Sequence, residues 1–234
     1  MFCQRRSRLS SLHLPGIIIS SFTSFRICDR IIWLYILEEG GSSVERIILA
    51  SHSPRRQELL GQAGIPFECV TSDADETTSL SGLAEVEELS LRKASTVSKL
   101  FPGRYILAAD TLVSIDGIML GKPSGPEDAA SMIRRLSGRT HHVMTGVTVI
   151  SPSGSVFTSS DNTSVSFCVI PEDEILDYTS GSEWADKAGA YAVQGRAGLW
   201  VDRLDGCYSS VVGLPLYMVR RLLIMAGYSF VSDD

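Results

Sequence analysis

The chain has 234 residues, 44% of them hydrophobic and 21% charged, a composition ordinary for a globular protein and long enough for a packed core. A formal net charge of −6 argues against a dedicated nucleic-acid binder, which needs a basic face. Residues 1–30 carry five arginines against one acid, Asp29, so the rest holds 16 bases against 26 acids, and an anion site there must be built from locally concentrated cations.

Residues 1–42 are rich in arginine and serine and run into the linker-like EEGGSS. They read as an N-terminal extension to a domain spanning 43–234. Their composition fits a transit peptide for a mitochondrion or plastid. A weak secretory signal, a non-structured extension or a mis-assigned start are the other readings. Without such a signal the expected location is the cytoplasm. Arg26, Asp29 and Arg30 interrupt the only candidate membrane span, so no membrane association is expected.

From residue 46 apolar runs alternate with helical patterns, the signature of an α/β protein. RIILA (46–50) predicts a buried strand. Ser53 as N-cap, Pro54 as first helical residue and Gly64 as terminator predict a helix over 54–63, with Leu59, Leu60 and Ala63 inward. PFECVTSD (66–73) is strand-like. Residues 83–100 have helical spacing, with Leu83, Val86, Leu89, Ala94, Val97 and Leu100 facing the core. In YILAADTLVSIDGIMLGKP the pair Asp116-Gly117 predicts a hairpin that opposes Ile115 to Ile118 and, counted outward, Thr111 to Lys122. Asp110 and Lys122 therefore meet at one hairpin end, on faces the pleat leaves open. Pro126–Ser137 predicts a helix with acids first, arginines last and Gly138 beyond. A second hairpin follows through the turn SPSG, then a short helix at 171–179, an aromatic strand leading into YAVQG, and a closing helix after Gly213.

Several residues stand against their local background. Arg55 and Arg56 open a helix, where N–H groups and the macrodipole disfavour cations. An anion expected there resolves the conflict, because guanidinium forks match phosphate oxygens and helix N-termini donate to them. Ser51 and Ser53 add hydroxyl donors. The GxxxxGK[ST] spacing of a P-loop is absent. Asp110 lies inside an otherwise apolar strand, where a carboxylate is costly unless paired, metal-bound or functional. Near Lys122 it suits either a general base for water or a divalent-metal ligand. Asp73, Asp75 and Glu76 in SDADE are either a solvated loop or hard oxygen ligands of the kind Mg²⁺ prefers. Lys93 and Lys187 are surface residues or further ligands. Gln194 either reads a nucleobase edge or caps backbone. His141 and His142 are structural or tuning residues. Five scattered cysteines form no CxxC pair and four histidines show no metal spacing, which fits a reducing compartment. Together these residues describe a site that binds and hydrolyses a polyphosphate.

The segments LASHSPRRQELL, DADE, AADTLVSIDGIMLGKP, GRTHHVMTGVTV, DKAGAYAVQG and GCYSSVVGLPL, over about residues 46–227, resemble the Maf family of nucleotide pyrophosphatases in order and spacing. The resemblance implies an α/β fold with a mixed central sheet in two lobes around a cleft, akin to inosine triphosphate pyrophosphatases. It implies hydrolysis of a nucleoside triphosphate to monophosphate and pyrophosphate with a divalent cation, Mg²⁺ or Mn²⁺, by a homodimer. By motif, Asp110 resembles the family's proton acceptor and, with Glu76, a metal ligand. Ser51, Ser53, Arg55, Arg56, Lys93, Lys122 and Lys187 fall on positions lining the substrate cleft, and Arg56, Thr111 and Gln194 on positions setting nucleotide preference. SPRR with ADT and QG is similar to the dTTP/UTP branch; the 7-methyl-GTP branch typically replaces the first arginine and the threonine. His52 and Cys207 depart from the commoner small or acidic residues. Two other readings are a non-catalytic nucleotide sensor regulating cell division, and an enzyme preferring modified pyrimidine nucleotides.

Overall fold

A computed structural model describes residues 44–231, all within one unit, so the expectations for 1–42 lie outside the described residues. Seven strands form one mixed sheet: β1 (Ile47–Leu49), β2 (Phe67–Cys69), β3 (Ile106–Ile115), β4 (Ile118–Leu120), β5 (Thr140–Ile150), β6 (Val156–Phe167) and β7 (Val201–Asp205). Their order is β2-β1-β3-β5-β6-β7, with β4 on the β3 edge that β1 leaves free. β1 runs parallel to β2 and β3, and the remaining pairs are antiparallel. Among the described residues six helices pack around the sheet: α1 (Pro54–Gln62), α2 (Leu83–Ser98), α3 (Pro126–Leu136), α4 (Glu172–Ser180), α5 (Tyr208–Val212) and α6 (Leu216–Met225). The mixed α/β architecture is the one expected.

β1 is apolar without alternation because both its faces are covered. Ile47 and Leu49 join the larger core, whereas Ile48 and Ala50 pack with Ala94 and Val97 of α2. The same division runs along β3. Leu107, Ala109, Val113 and Ile115 face the larger core; Ile106 and Ala108 face α2. The pleat thus puts Asp110 on the α2 side of the sheet and Thr111 on the other.

β1 follows β3 only as far as Leu49 opposite Leu107, and β4 joins the same edge at Val113. Between them the β3 edge is left open at Ala108–Leu112, just beyond the carboxyl end of β1. Parallel strands characteristically leave their ligand crevice there. α2 reaches this gap because Gly146 of β5 carries no side chain: a Cβ there would lie 2.2 Å from the Val86 carbonyl oxygen.

The Asp-Gly hairpin forms as expected, with Asp116 at φ 52° and Gly117 at φ 76° and Ile115 opposite Ile118. Its ladder stops at Leu120, so the expected pairing of Thr111 with Lys122 is not made. Gly189 N–H binds the Gly121 carbonyl at 3.1 Å and draws the chain away, leaving Thr111 paired only on its other edge, with Thr145 of β5. In α2, Val86, Leu89, Ala94 and Val97 are buried, but Leu83 is 40% and Leu100 66% exposed. Leu83 begins the helix and Leu100 follows its end, so neither lies over the sheet. Ser90 takes an inward position, its hydroxyl 2.9 Å from that of Thr148. Ala63, past the last residue of α1, is also exposed. In place of the strand expected before YAVQG stands a 3₁₀ segment, Ala188–Ala190, and YAVQG itself turns into a second one, Arg196–Trp200.

Candidate active site

The gap opens into a cleft of about 640 Å³ lined by Ser51, Ser53, Arg55, Arg56, Glu76, Lys93, Asp110, Thr111, Lys122, Lys187 and Gln194. These eleven candidates, spread over residues 51–194, therefore border one hollow. Asp73 and Asp75 do not. Asp75 closes a local turn by accepting from Thr77 N–H at 2.9 Å, a use its sequence neighbourhood does not exclude.

Asp110, 8% exposed, accepts from Lys93 Nζ at 2.5 Å through Oδ1. The same ammonium lies 2.7 Å from Glu76 Oε1. The hydrogen bond from Lys93 holds the Glu76 carboxyl below its ordinary range, with Lys122 and Arg56 adding to the effect. Glu85, from the first turn of α2, lines the same cleft. Burial, and then the charge of Asp110, push its carboxyl up. Lys93 thus stands between two carboxylates where positive charge is favoured. Among the described residues no set of three or more His, Cys, Asp or Glu side chains is placed to hold a metal. Glu76 and Asp110 still fit a hard divalent cation that takes its remaining ligands from water and phosphate, the usual habit of Mg²⁺.

The two arginines divide. Arg56 is threaded into the fold: Nε donates to the Gly213 carbonyl at 2.8 Å, Nη1 to Ser51 Oγ at 3.1 Å and Nη2 to Thr111 Oγ1 at 3.3 Å. Burial lowers its pKa, partly offset by Asp110. Three of its five N–H groups are spent on the protein, so its fork is an internal clamp with two N–H groups to spare. Arg55 makes no hydrogen bond or ion pair among the described residues. Burial also lowers its pKa, against the attraction of Asp186. Lys187 is close enough that Arg55 adds to the burial lowering the lysine's own pKa. Lys122 is exposed on the cleft wall. α1 begins without an acid in its first turn and without a side-chain cap, so its own sequence offers no counter-charge to its free N–H groups or to Arg55, which border the cleft. The cationic helix start is resolved in two ways, one arginine bound inside the fold and one left open to an anion.

Further residues complete the frame, all but His141 unanticipated from sequence. Thr145, fully buried on β5, binds Thr111 Oγ1 at 3.0 Å and the Ser210 carbonyl at 3.0 Å. A threonine inside the apolar stretch VMTGV (143–147) was its only signal, and backbone carbonyls such as those of Ser210 and Gly213 leave none. His141 is buried, with Nε2 2.8 Å from the hydroxyl of Tyr191, a cleft residue. Burial, with His142 nearby, lowers its pKa to about 4, so the ring is neutral and structural. Glu183 supports the turn carrying Gln194: it accepts from Tyr178 OH at 3.1 Å and Arg196 N–H at 3.2 Å.

Residues 46–226 match the family model described as Maf-like protein. The chain is 46% identical over 188 residues to a dTTP/UTP pyrophosphatase of Geobacillus sp. (strain WCH70), covering 79% of this chain and 100% of that protein. It is 43% identical over 185 residues to a dTTP/UTP pyrophosphatase of Deinococcus radiodurans, covering 79% and 94%. A solved structure of the Staphylococcus aureus Ham1 protein aligns at 12% identity and a TM-score of 0.45, over 77% of this chain and 99% of that one. No helix among the described residues is long and apolar enough to cross a membrane.

Proposed function

The chain belongs to the Maf family, and from that membership we propose that it hydrolyses nucleoside triphosphates, dTTP and UTP above all, to the monophosphate and pyrophosphate. The observation that carries the proposal is the meeting of open cationic groups with one sequestered carboxylate in a single cleft. Relatives named dTTP/UTP pyrophosphatase support the pyrimidine preference.

Arg55, Lys122 and Lys187 hold the phosphate chain, assisted by the α1 N-terminus and the Ser51 and Ser53 hydroxyls. Lys93 secures Asp110 through Oδ1, while no donor among the described residues engages Oδ2. That oxygen takes a proton as a water attacks the α-phosphorus. The bond from the α-phosphorus to the bridging oxygen breaks, and pyrophosphate leaves on the cationic wall. Glu76 and Asp110 would hold Mg²⁺ or Mn²⁺, which when bound neutralises charge on the phosphates. Arg56, Thr111 and Gln194 border the base. A homodimer and a cytoplasmic location, or an organelle if residues 1–42 direct import, complete the proposal; the family resemblance supports the first.

The test is pyrophosphate release from dTTP, UTP, CTP, purine, 7-methyl-GTP and modified pyrimidine triphosphates. Turnover of dTTP and UTP, abolished by EDTA and restored by Mg²⁺ or Mn²⁺, is expected. Absence of pyrophosphate from every substrate, or release of orthophosphate instead, refutes it.

A further inference from the structure

One polar chain in the cleft has a direction that its chemistry dictates. The Ser210 carbonyl can only accept, so Thr145 Oγ1 at 3.0 Å spends its single proton there. In its contact with Thr111 Oγ1, also 3.0 Å, Thr145 is therefore the acceptor and Thr111 the donor. Both Thr145 and Ser210 are fully buried, which leaves no solvent to offer another arrangement. Arg56 Nη2 donates into Thr111 Oγ1 and fills one of its two lone pairs. The hydroxyl of Thr111, on the cleft wall, thus has its proton committed and one lone pair free.

Ser51 is set the opposite way by the same guanidinium. Its oxygen accepts from Arg56 Nη1 at 3.1 Å and from Ser53 N–H at 3.2 Å, so both lone pairs are used and its proton is free to donate. A hydroxyl that only donates suits phosphate oxygens, and one that only accepts is repelled by them.

We propose that Thr145, backed by the Ser210 carbonyl, is a positioning residue that fixes Thr111 as an acceptor, so that Thr111 reads the N3–H of uracil or thymine and rejects the bare N3 of cytosine. The inference rests on the pyrimidine triphosphate reading above and explains its selectivity. Cytosine N3 would face a lone pair with a lone pair, and a buried polar group left unpaired costs selectivity as well as affinity.

The experiment compares kcat/KM for UTP, CTP and 3-deaza-UTP, in which a carbon replaces N3. It uses the full-length wild type and the variants Thr145→Val and Thr145→Ser. The wild type should prefer UTP over both analogues by at least about tenfold, the cost expected for one mispaired polar group. Thr145→Val frees the Thr111 proton to swing toward the base, so its UTP/CTP ratio should fall about tenfold, while Thr145→Ser keeps the wild-type ratio. The valine variant should fold, because the Ser210 carbonyl keeps the Gly213 N–H at 2.9 Å, and the wild-type comparison needs no variant. Equal wild-type rates on UTP and 3-deaza-UTP, or a parallel fall on UTP and CTP in Thr145→Val, overturn the inference while leaving pyrophosphatase activity standing. A wild type that does not turn over UTP overturns both.

Discussion

Replacing Asp110 by asparagine tests the base assignment with little structural disturbance. The amide is isosteric and keeps an acceptor for Lys93 Nζ, now 2.5 Å from Oδ1. Lys93 also keeps the Glu76 carboxylate at 2.7 Å, so its charge is not orphaned. What is lost is the charge on one partly buried hydrogen bond, about 1–2 kcal/mol. For a domain of this size that lowers Tm by about 2–8 °C. A lost general base lowers kcat by about 10²–10⁴, or about 2.7–5.5 kcal/mol of barrier. Pyrophosphate release at saturating UTP and thermal melting of the same samples separate the two effects. The expected result is a folded protein with KM near wild type and kcat down at least a hundredfold. A kcat within threefold of wild type removes Asp110 from the base role. A Tm fall beyond about 15 °C makes the carboxylate structural first.

Other expectations come from other parts of the frame. Arg55→Met should raise KM for UTP about tenfold or more, because an open guanidinium is lost, while Tm changes little; an unchanged KM would take Arg55 off the phosphate chain. Gly146→Ala drives a Cβ to within 2.2 Å of the α2 backbone, so α2 and Lys93 must shift. A destabilisation of about 3 kcal/mol or more and a reduced kcat should follow, and an unaltered melting curve would contradict the close approach. His141 has a folded-state pKa of about 4 against an ordinary 6.5, so the unfolded chain binds more protons between those values. Its neutral form contributes stability that is complete above pH 6.5 and is lost as pH falls to about 4, at most about 3 kcal/mol. Urea midpoints measured from pH 7 to pH 4 should therefore show an acid-side slope that His141→Phe reduces; equal slopes would deny the histidine its part.

Much of the site was legible because certain residues conflict with their local setting. A carboxylate in an apolar strand and two arginines at a helix start are each costly in isolation, so each announces a partner elsewhere in the fold. The Asp-Gly turn fixed the β3–β4 register because its backbone admits few alternatives. Periodicity failed at element ends: Leu83, Leu100 and Ala63 keep the helical spacing yet lie beyond the surface they would cover.

The amino-acid order alone determined the alternation of strands and helices, the hairpin, and the identity of the charged groups, since these follow from backbone preferences and local cost. Only the tertiary structure decided how those groups are divided among partners. Arg56 is held by a carbonyl 157 positions away, Lys93 is shared by two acids, and the Thr111 proton is directed by a buried threonine and a backbone oxygen. Partnerships of that kind depend on distances of about 3 Å between segments far apart in the chain, and a backbone carbonyl has no side chain by which a sequence can advertise it.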